Sequence, residues 1–122
     1  MEKICLDTDI VLDFLKGTKS TVEKIKHYSE EEVCITTLSM FELLNITNKP
    51  EIIRQFTNSV NTLDFNENCS LIASRIVSAL RDQGIMPPMR NIFTAAICID
   101  NGAFLVTKDR RDYENIRGLK LV

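Results

Sequence analysis

The sequence predicts an α/β fold, a single domain built on a mostly parallel sheet of four or five strands with helices on both faces. Two observations carry this. The apolar runs Ile4-Cys5-Leu6, Val33-Cys34-Ile35 and Phe104-Leu105-Val106 are short and unalternated, as strands buried on both faces are. The stretches between them carry apolar residues at helical spacing, which places covering helices between the strands. A chain of 122 residues suffices for one core, and no repeat, linker or low-complexity segment divides residues 1–122.

Each element has its own signal. After the first strand, Ile10, Val11, Phe14 and Leu15 mark a helix that Gly17 ends, with Asp9 read as its N-cap. Val22, Ile25 and Tyr28 mark a second helix. Val33-Cys34-Ile35 is the second strand, and Thr36, Thr37 and Ser39 are candidate caps for a helix carrying Met40, Leu43 and Leu44. A further helix runs from Pro50 to about Ser59, and Val60 to Phe65 contains a third strand. Asn66-Glu67 opens a long helix with Leu71, Ile72, Ile76 and Leu80 inward, stopped at Gly84. Pro87-Pro88 forces an extended connector. Asn91 is read as beginning the next helix, whose buried face is Ile92, Ala95, Ala96 and Ile99 and whose end is Asn101-Gly102. Phe104-Leu105-Val106 and Leu119-Lys120-Leu121-Val122 complete the strands.

Composition narrows the function. Hydrophobic residues make up 44% and charged residues 26%, the balance of a soluble globular domain. No apolar run is long enough to span a bilayer, and Met1 to Asp7 lacks the apolar core of a signal peptide, so a cytoplasmic protein is expected, without membrane partners. The net charge of −2 gives no general attraction to nucleic acid, so any such contact must rest on local basic patches. Cys5, Cys34, Cys69 and Cys98 form no CxxC pair, and His27 is the only histidine, which argues against structural zinc; Cys5, Cys34 and Cys98, set among Ile, Val and Leu, read as small buried hydrophobes.

In parallel α/β folds the working site lies beyond the carboxyl ends of the strands, near the switch in strand order. Function is therefore expected just after Leu6, Ile35 and Val106. Asp7 and Asp9 follow the first strand, Glu42 lies in the helix after the second, and Thr107, Asp109 and Asp112 follow the fourth. Carboxylates gathered at one edge repel one another unless a cation neutralises them. Oxygen donors without His or Cys select Mg²⁺ or Mn²⁺, and such ions serve phosphodiester hydrolysis. Arg90, Lys108, Arg110 and Arg111, with Thr8, are candidates for holding substrate phosphates.

These residues also carry a family resemblance. Ile4-Cys5-Leu6-Asp7-Thr8-Asp9-Ile10-Val11, Thr36 to Leu44 with Glu42-Leu43, Asn91-Ile92-Phe93-Thr94-Ala95-Ala96, Phe104 to Asp109, Asp112-Tyr113 and Gly118-Leu119 stand in order along nearly the whole chain. They resemble the successive motifs of PIN domains and, within them, VapC-like toxins. The resemblance implies endonucleolytic hydrolysis of RNA at a metal site that includes Asp7, Glu42 and Asp109, with Thr8 and Thr107 orienting ligands or the attacking water. It also implies a homodimer held inactive by a cognate antitoxin.

One position departs from the pattern. Asn91 stands where the family carries a third aspartate, offering a carbonyl oxygen to a metal but no negative charge, while remaining a good helix cap. Three explanations stand: an inactivated variant, a natural variant whose site uses Asp109 and Asp112 instead, or a catalytically inactive binding module. Two rivals come from other classes. Asp7-Thr8-Asp9 resembles the D-x-D of haloacid-dehalogenase-like phosphatases, and Thr107-Lys108 loosely resembles the late threonine and lysine of receiver domains.

Overall fold

A computed structural model of the chain, described here for residues 2–122, is a five-stranded, wholly parallel sheet flanked by six helices. The strands are β1 (Ile4–Leu6), β2 (Val33–Thr36), β3 (Asn61–Leu63), β4 (Phe104–Val106) and β5 (Lys120–Leu121). Helices α1 (Thr8–Leu15) and α2 (Lys19–Lys26) join β1 to β2; α3 (Thr37–Ile46) and α4 (Pro50–Ser59) join β2 to β3; α5 (Glu67–Asp82) and α6 (Met89–Asn101) join β3 to β4. The spatial order is β3-β2-β1-β4-β5. The chain thus leaves β1 in one direction and later returns to β1's other edge, which puts the switch in strand order between β1 and β4.

The two-residue period of a strand sorts the core into two halves. Ile4 and Leu6 of β1, Val33 and Ile35 of β2 and Val106 of β4 point to one face and pack with Ile10, Val11, Ile25, Leu43, Ile53 and Phe56 of α1–α4. Cys5, Cys34 and Leu105 point to the other and pack with Ala73, Ile76, Leu80, Ile92 and Ala96 of α5 and α6. All four cysteines are buried free thiols, Cys5, Cys34 and Cys98 as expected and Cys69 with them. No described helix is long and apolar enough to cross a membrane.

The structure corrects the sequence reading at three places, two helix starts and one helix face. Asp7, not Asp9, is the N-cap of α1, its carboxylate accepting from the Thr8 backbone N–H at 3.0 Å. Helix α6 begins two residues before Asn91, at Met89 behind Pro88, whose fixed φ suits a helix start but supplies no side-chain cap. Asn91 is therefore inside the helix and only 1% exposed, not at its N-cap. Leu71 is exposed, because the inward face of α5 runs through Cys69, Ala73, Ile76 and Leu80, and Leu71 lies two residues, roughly 200° of helical rotation, from both Cys69 and Ala73. The expected caps Thr36 and Asn66 are in place, accepting from Ser39 N and Cys69 N at 3.0 and 2.9 Å, and Gly102 ends α6 at φ +63°. Thr36 serves α3 alone among the three cap candidates of its stretch.

Two connections place the site. Thr36 is at once the last residue of β2 and the cap of α3, so α3 starts at the carboxyl edge of the sheet. Only Gly102 and Ala103 separate α6 from β4, so α6 runs back against β4 and its first turn reaches that same edge.

The cap at Asn66 offers a test remote from this edge. Asn66→Ala should cost about 1 kcal/mol, read as a lower urea midpoint at unchanged m-value, without affecting chemistry at the carboxyl edge.

Candidate metal and active site

Asp7 lies at the switch point between β1 and β4, and its carboxylate is 3% exposed. Its backbone N–H continues the ladder by donating to Val106 O at 2.9 Å. Oδ1 accepts from Thr8 N and from Nη2 of Arg90, both at 3.0 Å. Oδ2 accepts from the hydroxyls of Thr107 and Tyr113, both at 2.9 Å. A buried carboxylate needs this many donors to remain ionised away from water.

Glu42 reaches the same place from the middle of α3. Its Oε1 accepts from the Thr8 hydroxyl at 2.6 Å, and its two oxygens take a bidentate pair from Arg90, Nε to Oε2 at 3.1 Å and Nη2 to Oε1 at 2.6 Å. Arg90, in the first turn of α6, also donates from Nη1 to Asn91 Oδ1 at 2.7 Å and to the Tyr113 hydroxyl at 3.0 Å. Asn91 turns its amide nitrogen toward Asp112, at a long 3.4 Å. Asp7, Thr8, Asp9, Glu42, Arg90, Asn91 and Asp109 line an open cavity of about 300 Å³.

Electrostatics follow the geometry. Burial by itself lowers the affinity of the Arg90 guanidinium for its proton, but the hydrogen bonds it donates to Glu42 and Asp7 reverse this and hold it above the ordinary arginine range. Burial, and then the Asp7 charge, push the Tyr113 phenol up, so it stays a neutral donor. Partial desolvation and then the adjoining Asp112 carboxylate push the Asp109 carboxyl up. Burial, and then Asp7, do the same to Asp9.

The structure thus brings together Asp7, Thr8, Glu42, Asn91, Thr107 and Arg90, with Asp109 and Asp112 beside them. It does not gather the basic residues. Lys108 is paired with Asp13 at 2.6 Å, Arg110 donates to the backbone carbonyl of Val122, and Arg111 is exposed on the 3-10 turn Arg110–Asp112. Arg90 points inward at carboxylates rather than outward for a phosphate. Two site residues were missed in the sequence. Tyr113 stands in a polar stretch between Asp112 and Glu114 and gives no site signal of its own, yet it is 1% exposed and its hydroxyl is in the cluster. Asp9, read as a cap, lines the cavity; its Oδ2 accepts from Lys108 N at 3.1 Å while its buried Oδ1 has no partner. The repeated acid of Asp7-Thr8-Asp9 was the available signal.

The donor set tests whether a metal fits. Among the described residues, no three His, Cys, Asp or Glu side chains are grouped closely enough to hold an ion as they stand. The oxygens of Asp7, Glu42 and Asn91 nevertheless converge on one cationic group, Arg90, and all are hard donors. That set suits a hard divalent ion in chemistry, with the guanidinium standing where the ion's charge would be.

Comparison with known proteins bears on the family and the fold. The PIN domain family matches residues 4–119. The tRNA(fMet)-specific endonuclease VapC of Shigella flexneri is 24% identical, over 98% of this chain and 96% of that protein. Ribonuclease VapC3 of Methanocaldococcus jannaschii is 28% identical, over 75% of this chain and 94% of its own. Among solved structures, DNA-bound VapBC from Salmonella typhimurium superposes with a TM-score of 0.85 at 21% identity, covering 100% of this chain and 98% of that one. The dehalogenase-like and receiver readings are set aside by the same match. Because the family matches nearly the whole chain, residues 4–119, the chain belongs to the PIN domain family.

Proposed function

We propose that the protein is a metal-dependent endoribonuclease and the toxin of a toxin–antitoxin pair. The observation that carries this is the convergence of Asp7, Glu42 and Asn91 oxygens at the β1/β4 switch point, in an open cavity at the carboxyl edge of the sheet. The names of its relatives, two of them VapC ribonucleases, support the same reading.

Asp7, Glu42 and Asn91, with Asp109 and Asp112 from the β4 side, would hold Mg²⁺ or Mn²⁺. Such an ion supplies an activated water and stabilises the leaving oxygen. The chain's own groups hold the ligands still. Thr107 and Tyr113 fix one oxygen of Asp7, while Thr8 fixes Glu42 and is itself bonded to Ser39 at 2.9 Å. The substrate enters as RNA, met by Thr8 at the cavity wall. The antitoxin is a separate chain; the exposed Phe41, Ile46 and Ile52 of α3 and α4 offer it apolar surface. The protein acts in the cytoplasm as a homodimer.

A second reading is favoured by one observation. With Asn91 in place of an acid and Arg90 seated on the carboxylates, the domain binds RNA or antitoxin without cleaving. The assay that separates the two is cleavage of a mixed tRNA, rRNA and mRNA panel with Mg²⁺ or Mn²⁺ and a chelator control. Metal-dependent cleavage is expected from the parent chain. Asn91→Asp should lower the Mg²⁺ concentration for half-maximal cleavage roughly tenfold, about 1.4 kcal/mol; no cleavage by either protein on any RNA leaves the binding module.

Asp7→Asn keeps the helix cap but removes the charge, so it should abolish cleavage while the fold persists by circular dichroism; residual metal-dependent activity in that variant would place the site elsewhere. Tyr113→Phe removes only the hydroxyl that positions Asp7. It should lower kcat about tenfold with KM for RNA little changed, and single-turnover kinetics on the preferred RNA would show the split.

A further inference from the structure

The guanidinium of Arg90 occupies the centre of the acidic cluster, and this has a consequence for the metal. It donates to oxygens of Asp7, Thr8, Glu42, Asn91 and Tyr113, so every side chain proposed to ligate an ion from the β1, α3 and α6 sides is already bonded to it. We propose that Arg90 is the resident cation of this site, competing with the divalent ion for the same oxygens, so that the metal binds only when Arg90 swings out. This rests on the metal-dependent reading above and adds to it how metal occupancy is set.

Three arguments support exclusion rather than coexistence. The first is space. A divalent ion such as Mg²⁺ needs its oxygens at roughly 2.0–2.1 Å, whereas Nη2 stands 2.6 Å from Glu42 Oε1 and 3.0 Å from Asp7 Oδ1, between the same two carboxylates. An ion bridging that pair takes the place of the Nη2 group.

The second is charge. Asp7 and Glu42 are the two acids bonded to Arg90. The guanidinium already supplies the nearest counter-charge to these two carboxylates, so a divalent ion added beside it would meet like charge at the same oxygens. Asn91 adds no negative charge to offset that repulsion, and Asp109, the further proposed ligand on the cavity wall, lies outside the hydrogen bonds of Arg90.

The third is a way out. Arg90 is the second residue of α6, next to exposed Pro88 and Met89, and its own side chain is 31% exposed. Because Arg90 lines the open cavity from the first turn of α6, rotation of its long side chain would carry the guanidinium outward without moving the backbone. There it is placed to meet an incoming phosphate, which unites the inward position seen in the structure with the phosphate-binding role expected from the sequence. Asp7 is 3% exposed and needs a counter-ion at all times. Arginine serves in the absence of metal, and the metal serves once arginine has left.

The test is Mn²⁺ binding without RNA, followed by electron paramagnetic resonance of the free ion, for the parent chain, Arg90→Gln and Arg90→Lys. Arg90→Gln should bind Mn²⁺ at least tenfold more tightly than the parent. Without metal its melting temperature should be lower than the parent's, and saturating Mn²⁺ should raise it more than it raises the parent's. If Arg90→Gln does not fold without metal, Arg90→Lys carries the comparison. An ammonium cannot reproduce the bidentate fork on Glu42, and that variant should bind Mn²⁺ several-fold more tightly than the parent. Equal or weaker Mn²⁺ affinity in the folded variants overturns the competition while leaving the metal-dependent nuclease standing. No Mn²⁺ binding by any of the three at millimolar concentration overturns both.

Discussion

The buried carboxylate of Asp7 is the constraint on which the rest of the site depends. It ends β1, caps α1, and ties the residue after β4 to the residue after β1 through Thr107. It also draws in Tyr113 from the C-terminal segment and Arg90 from α6. A charge so enclosed persists only with donors on every side. The burial of one acid therefore dictates a threonine, a tyrosine and an arginine from three distant parts of the chain. Glu42 and Asn91 meet Asp7 because Arg90 bonds all three.

Most of the fold was legible because it is written in local patterns. The strands at Ile4, Val33 and Phe104 announce themselves by apolar runs, and the helix from Pro50 to Ser59 has a proline at its start. The position of the site was legible for a topological reason. A parallel sheet must gather the residues that follow its strands at one edge, so Asp7, Glu42 and Thr107 could be placed together before any coordinates. The errors were of a different sort. Asp9 and Asn91 were both given the cap that their residue type favours, and in both helices the start lies earlier, at Asp7 for α1 and Pro88 for α6. Propensity identifies which residues can cap but does not say which turn comes first.

Arg90 and Tyr113 were illegible for another reason. The roles of both depend on the direction of a long side chain, which spacing does not encode. Arg90 reads from the sequence as a phosphate holder rather than a partner for carboxylates, and Tyr113 reads only as the second residue of the Asp112-Tyr113 motif. Only the closure of α6 against β4, through Gly102 and Ala103, turns the first turn of α6 onto the acids. The basic residues beyond β4 show the converse. Lys108 and Arg110 lie next to the site in sequence, yet they are taken up by Asp13 and by the backbone of Val122.

Asn91 looks like a simple loss when read as a missing aspartate, and its surroundings alter that view. Its amide does two things at once: the oxygen accepts from Arg90 and Tyr113, and the nitrogen faces the carboxylate of Asp112. A carboxylate there could accept from Arg90 but would confront Asp112 with a like charge in a site 1% exposed at residue 91. Asn91 therefore suits a site whose standing cation is monovalent, and an aspartate suits one whose standing cation is divalent. Arg90, Asn91 and Asp112 form a self-consistent set in which one acid fewer is matched by a singly charged counter-ion. The amide at position 91 and the guanidinium at position 90 are thus two halves of one charge balance, which shifts the site toward its metal-free state.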